Sequence, residues 1–169
     1  ASYTEAINSF TKGITAVTHL YNAMSPLQHR APGLVGAAMD NKKVMASIIP
    51  DGHHVDYAAI RIAKEVMKER LFIITDAVTE TTEGHYPHHL EGSKYVSNNI
   101  LSGSALTMNK AVQNLVEYTG IELGEALRMC SLYPARVIGL EKELGKIEKG
   151  LNAKMVLLSE RNDVVQLIG

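Results

Sequence analysis

His19, the cluster Asp51-Gly52-His53-His54 and Asp76 share one setting: each stands where a short apolar or β-prone run stops. A neutral imidazole can ligate a divalent ion, and a carboxylate nearby can take a proton from the water such an ion activates, so this combination suits metal-assisted hydrolysis. Each residue taken singly is better read as a polar strand terminus bonded to nearby backbone. What carries information is the repetition, because barrel enzymes recruit catalytic groups from the ends of several strands.

Ser2 followed by Glu5 makes a capping box, and Ala6, Ile7 and Phe10 form an apolar stripe behind it, so the spacing predicts a helix over 3–12 that ends at Gly13. The runs Ile14–Thr18, Val44–Ile49 and Leu71–Thr75 read as strands, and the last is too uniformly apolar for a solvated sheet face. Between the second and third, Tyr57, Ile60, Ala63 and Met67 mark one face of a helix. From Ala77 to Ser104 the rhythm breaks at Gly84, Pro87, Gly92 and Gly103, which predicts a long functional loop with a small hairpin. Helical spacing resumes at Met108–Val116 and Leu123–Cys130, Pro134 suits the first turn of a short helix, and Gly145–Ile147 with Ala153–Leu158 read as strands about a turn at Gly150. Alternating strands and helices imply an α/β fold with a mainly parallel sheet, either open and doubly wound or closed as a barrel. The polar strand ends favour the barrel, and no G-x-G-x-x-G or G-x-x-x-x-G-K-[ST] element supports a nucleotide fold.

A chain of 169 residues, 46% hydrophobic and 21% charged, has the apolar fraction of one globular domain. Its 17 Lys+Arg against 18 Asp+Glu leave a formal charge of -1, with no basic excess for nucleic acid or an anionic membrane surface. No run approaches the roughly 18 apolar residues of a spanning helix. A lone cysteine, Cys130, on an apolar helical stripe, and a polar opening without a leader pattern point to a reducing, cytoplasmic setting. The methionines read as core filler.

The motifs Thr18-His19-Leu20-Tyr21-Asn22-Ala23-Met24, Ala31-Pro32-Gly33, Asp51-Gly52-His53-His54-Val55-Asp56, Thr75-Asp76-Ala77, Leu101-Ser102-Gly103-Ser104 and Tyr133-Pro134-Ala135-Arg136 run in order across nearly the whole chain. Together they resemble the N-acetylglucosamine-6-phosphate deacetylase family of the amidohydrolase superfamily. The resemblance implies a TIM-type (β/α)8 barrel of the amidohydrolase type with a small β-sandwich domain. Residues 1–140 would hold strands six to eight with the closing helices, and 141–169 part of the sandwich. It also implies hydrolysis of the N-acetyl group of N-acetylglucosamine 6-phosphate. Under it His19 is a metal ligand and Asp76 the catalytic acid/base. Asn22, the backbone of Ala23, His54 and the segment Leu101-Ser102-Gly103 contact the amino-sugar phosphate, and Arg30 reaches into a neighbouring subunit's site in a homodimer. His53 only flanks the site. Read without the resemblance, Asn22 is a loop-capping amide and the Ser-Gly-Ser segment a helix entry.

Zinc, iron, cobalt or manganese would all accept these ligand types. The family's remaining ligands, a Glu on an early strand and a His ending the fifth, correspond to positions before Ala1, so the resemblance makes these residues roughly the C-terminal half of an enzyme. The chain alone is then expected to be inactive, with a strand edge and apolar interior uncovered. His85, His88 and His89 could hold a metal by spacing, although an irregular segment offers little scaffold and a solvated surface accounts for them as well. Two other readings stay open: an amidohydrolase acting on another amide, and a non-catalytic half-barrel that binds or assembles.

Overall fold

The computed structural model describes residues 1–84, 87–98 and 100–169. Helix α1 (Tyr3–Thr11) begins at the expected capping box: the Ser2 amide donates to Glu5 Oε2 at 2.7 Å and the Glu5 amide to Ser2 Oγ at 3.3 Å. Gly13 follows at φ +108° and turns the chain into β1 (Ala16–Val17). The strands β2 (Met45–Ile48) and β3 (Leu71–Ile73) complete a parallel sheet in the order β1-β2-β3, registered Ala16 to Met45 and Ala46 to Leu71. All three predicted strands are present and parallel, each shorter than its apolar run.

Helix α2 (Gly33–Asp40), between β1 and β2, has no counterpart in the sequence reading. Its residues Val35, Gly36, Ala37, Ala38 and Met39 are all buried, so no polar face exists to produce a helical period, and Pro32, Gly33 and Gly36 read locally as a loop. Gly33 is required there on two grounds: it sits at φ +64°, and a Cβ would lie 2.5 Å from the Ser25 carbonyl oxygen. Helix α3 (Tyr57–Met67) is capped by the Asp56 side chain, which accepts from the Ala58 amide at 2.7 Å, and buries Ile60, Ala63 and Met67 as the period predicts. Full burial of a side chain such as Ile60 stabilises by about 1.5–3 kcal/mol.

The segment after β3 is more ordered than expected. It forms an antiparallel sheet of β4 (His89–Glu91), β5 (Lys94–Ser97) and β6 (Ile100–Ser104). Its pairings are local hairpins, His89 with Val96 and Lys94 with Ser104, but the pattern that would mark them is weak: β4 is exposed throughout and shows no alternation. Helix α4 (Met108–Asn114) then packs on α5 (Leu123–Cys130), and α5 and α6 (Leu132–Val137) pack on β3, with Val112, Ala126, Met129 and Tyr133 joining Leu20, Ile48 and Ile73 in one core. The buried Asn114 amide donates to the Pro50 carbonyl at 2.9 Å, fixing the loop that leaves β2.

The tail differs from the expectation. Residues 145–147 are not a strand, and β7 (Met155–Leu158) pairs antiparallel with β8 (Val164–Ile168) instead, through the turn Ser159–Asp163. Two apolar β-prone runs joined by a short polar turn make the closer pairing, and Gly145 lies against the Leu132 backbone.

Candidate functional site

The backbone turns sharply after β1. His19, Tyr21 and Ala23 have φ of +40°, +79° and +52°, a conformation side chains rarely adopt and one that persists only where surrounding bonds enforce it. Those bonds come from β2: Ser47, 1% exposed, accepts the His19 amide on Oγ at 2.8 Å and the Leu20 amide on its carbonyl at 2.7 Å. His19 Nδ1 stands 2.9 Å from the Asn22 carbonyl oxygen. A carbonyl can only accept, so Nδ1 carries the proton and Nε2 keeps its lone pair, the tautomer that suits a metal ligand. Asn22 therefore acts on His19 through its backbone, while its side-chain amide donates to the Leu20 carbonyl at 3.4 Å. Ala23 is exposed beside it.

At the end of β2, Asp51 grips the loop that follows. Its Oδ1 accepts the His53 amide at 2.9 Å and the His54 amide at 2.8 Å, and its Oδ2 lies 2.6 Å from His54 Nδ1. Burial pushes the Asp51 carboxyl upward, but the His54 ring and the two amides outweigh it and hold the group below the usual aspartate range. His53 turns the other way, its Nε2 2.8 Å from Ser93 Oγ, and ties the β4–β5 turn to this loop. The sequence groups Asp51 with the strand-end candidates but does not tie it to His54; the signal available was a carboxylate three residues before a histidine, within reach in a tight turn.

Asp76 follows β3, exposed, at φ +49°. Its peptide is held by the end of β6: the Ser104 amide donates to the Asp76 carbonyl at 3.1 Å, the Val78 amide to the Ser104 carbonyl at 3.2 Å, and Ser104 Oγ to the Thr75 carbonyl. The Asp76 carboxylate itself has no hydrogen bond among the described residues. Leu101, Ser102 and Gly103 thus lie on a strand, a correction to the loop or helix entry read from the sequence. Gly103 is packed so closely that a Cβ would meet Val78 Cγ2 at 2.6 Å. Ser102 Oγ pairs with His88 Nδ1 at 2.8 Å, and β4 begins at the exposed His89, while His85 lies outside the described residues.

The fold therefore brings His19, the Asp51–His54 pair and Asp76 to the same ends of adjacent parallel strands, with β6 bonded to the last. Neighbouring strands lie about 4.8 Å apart, so β1 and β3 stand roughly 10 Å from each other. Arg30 is not brought to this cluster. It is exposed on a surface groove of ≈ 590 Å³ shared with residues 1–5 and the loop Ser25–Gly33. An apolar cavity of ≈ 430 Å³ between α4, α5 and the β7–β8 hairpin, lined by Val112, Leu127, Cys130 and Met155, contains none of these residues. Burial raises the Cys130 thiol there, so it is not an activated thiolate. Among the described residues no three His, Cys, Asp or Glu side chains converge as a metal site, and no helix is long and apolar enough to cross a membrane.

The model of the amidohydrolase family matches residues 1–168. The chain belongs to the amidohydrolase family. Within it, the chain is 39% identical over 176 residues to the N-acetylglucosamine-6-phosphate deacetylase of Haemophilus influenzae, covering 98% of this chain and 46% of that protein. It is 36% identical to the N-acetylgalactosamine-6-phosphate deacetylase of Escherichia coli O157:H7, covering 99% of this chain and again 46% of the relative. The crystal structure of N-acetylglucosamine-6-phosphate deacetylase from Pasteurella multocida superposes with a TM-score of 0.95 at 38% identity, over 99% of this chain and 46% of that one. The chain thus spans about half the length of these relatives. An amidohydrolase that resembles these deacetylases agrees with the expectation drawn from the motifs.

Proposed function

We propose that these residues supply the acid/base and part of the substrate and metal contacts of an enzyme that hydrolyses the acetamide of an N-acetylamino-sugar 6-phosphate, N-acetylglucosamine 6-phosphate first among them. The observation that carries this reading is a carboxylate and two histidines at the ends of adjacent parallel strands, in a chain 39% identical to such a deacetylase. In this reading β1–β3 are the last three strands of a (β/α)8 barrel, residues 1–140 belong to that barrel, and 141–169 to a small β-sandwich.

His19 fits a divalent metal, because its Nδ1 is spent on the Asn22 carbonyl and Nε2 is free to ligate. A zinc site usually takes three protein ligands, so the others come from residues outside this chain. When bound, the metal supplies Lewis-acid activation of water and of the amide carbonyl. Asp76 takes the proton from the attacking water and delivers it to the sugar nitrogen as the C–N bond breaks, one carboxylate serving as base and then acid. Its carboxylate makes no hydrogen bond among the described residues, which leaves both oxygens open to that exchange. His54, Asn22, Ala23 and the strand carrying Leu101, Ser102 and Gly103 hold the sugar and its phosphate. Arg30, free of internal partners among the described residues, binds phosphate in a second subunit through its guanidinium fork.

The test is acetate release from N-acetylglucosamine 6-phosphate and its galacto isomer by the natural polypeptide carrying these residues, with zinc supplied and then chelated. Chelator-sensitive release is the expected result. Absence of release from both isomers with metal present would remove the proposal. The 169-residue chain assayed alone should be inactive.

A further inference from the structure

His53 and His54 are adjacent and chemically identical, yet only one is committed to a buried carboxylate. The Asp51 side chain is 3% exposed and that of His54 7%, and their 2.6 Å contact is shielded from competing water. The two amide bonds to Oδ1 already account for the turn, so the ring bond at Oδ2 is an additional constraint with a separate consequence. A carboxylate held ionised by these donors accepts and does not donate, so the proton between them belongs to His54 Nδ1. Nε2, which makes no hydrogen bond among the described residues, is then the atom left for a ligand.

We propose that Asp51 is a positioning residue that fixes the His54 ring and tautomer, so that Nε2 is presented to a hydroxyl or phosphate oxygen of the amino-sugar phosphate. The inference rests on the reading of His54 as a substrate contact. Asp51 touches no reacting atom, and it acts only through His54. An Asn at position 51 separates the two roles of the carboxylate. Its carbonyl oxygen can keep both amide bonds of the turn, whereas its NH2 group faces Nδ1 as a donor and drives the ring proton to Nε2.

The experiment is long-range 15N–1H correlation of the histidine rings in the natural polypeptide, wild type and Asp51→Asn, above the pH of imidazole titration, with steady-state kinetics beside it. His54 is expected to carry its proton on Nδ1 in the wild type and on Nε2 in the variant. For acetate release, KM should rise about tenfold or more with kcat changing far less, the mark of a lost binding contact. A wild-type His54 protonated on Nε2 would overturn the proposal without any variant being needed. So would an Asp51→Asn protein whose His54 signals and KM match the wild type. If the wild type deacetylates neither isomer, the functional reading fails by that fact, while the ring spectra still decide whether Asp51 sets the tautomer.

Discussion

Both ends of the parallel sheet carry ionisable residues, on opposite plans. Where the chain enters β3, charges are closed in on internal partners. The Arg70 guanidinium donates to the carbonyls of Ala38, Val44 and Met39 at 2.9–3.1 Å. Glu125 binds Lys64 and Arg128 and accepts the Tyr133 hydroxyl at 2.9 Å, while Lys64 and Arg136 also lie over the Tyr133 ring. At the other end the bonds go to the backbone and to one nitrogen of each of His19 and His54, and among the described residues leave His19 Nε2, His54 Nε2 and the Asp76 carboxylate open. Four of the seven non-glycine positive-φ residues among those described, His19, Tyr21, Ala23 and Asp76, sit at this open end. Satisfied charges thus gather at one end, and strained backbone with open groups at the other.

The contrast is broken most severely by Asp76→Asn. Under the proposed function, turnover of the natural polypeptide should fall by about 10²–10⁴-fold with an unchanged thermal melt, and a parallel loss of melting temperature would mean that Asp76 is structural. Glu125→Gln should do the reverse, costing about 3 kcal/mol in a denaturant titration by stranding the half-buried Lys64 and leaving kcat alone. Its pH dependence has a definite sign. Burial pushes the Glu125 carboxyl up, but bonds from Lys64, Arg128 and Tyr133 outweigh it and hold the group below the usual glutamate range. Its stabilisation is therefore complete above the unfolded value of about 4.3 and drains away as pH falls through the lower folded value. Glu125→Gln should flatten that acid limb.

Ser47→Ala sharpens the comparison, because it removes the acceptor of the His19 amide without touching either end's charges. About 1–2 kcal/mol of stability should be lost in the same titration and, under the proposed function, the natural polypeptide should retain added zinc more weakly, read by metal analysis after dialysis. Smallest is Arg136→Ala. Its partner Glu69 is 66% exposed, so the 2.7 Å pair should contribute no more than about 1 kcal/mol.

Much of this was legible locally. The capping box, the α3 period and three apolar runs ending in polar groups are short-range patterns, and each corresponds to an element of the fold. Helix α2 was not legible, since burial on all sides erases the period that marks a helix, and of the β4–β6 sheet only a small hairpin was, since the exposed β4 shows no alternation. Of the site, the residue types at the strand ends could be read directly, whereas the roles of Ser47, Asp51 and Ser104 could not.

The sequence by itself determined which groups were available for chemistry and that they stand at strand ends, because residue type and apolar periodicity are local properties. Only the tertiary structure decided which nitrogen of His19 and of His54 is free, which of two adjacent histidines is clamped, and that β6 grips the Asp76 peptide. The ring bonds of His19 and His54 reach residues close in the chain, but the turns that make them are held by Ser47 and Asn114, and Asp76 by Ser104, contacts that exist only once the chain has folded.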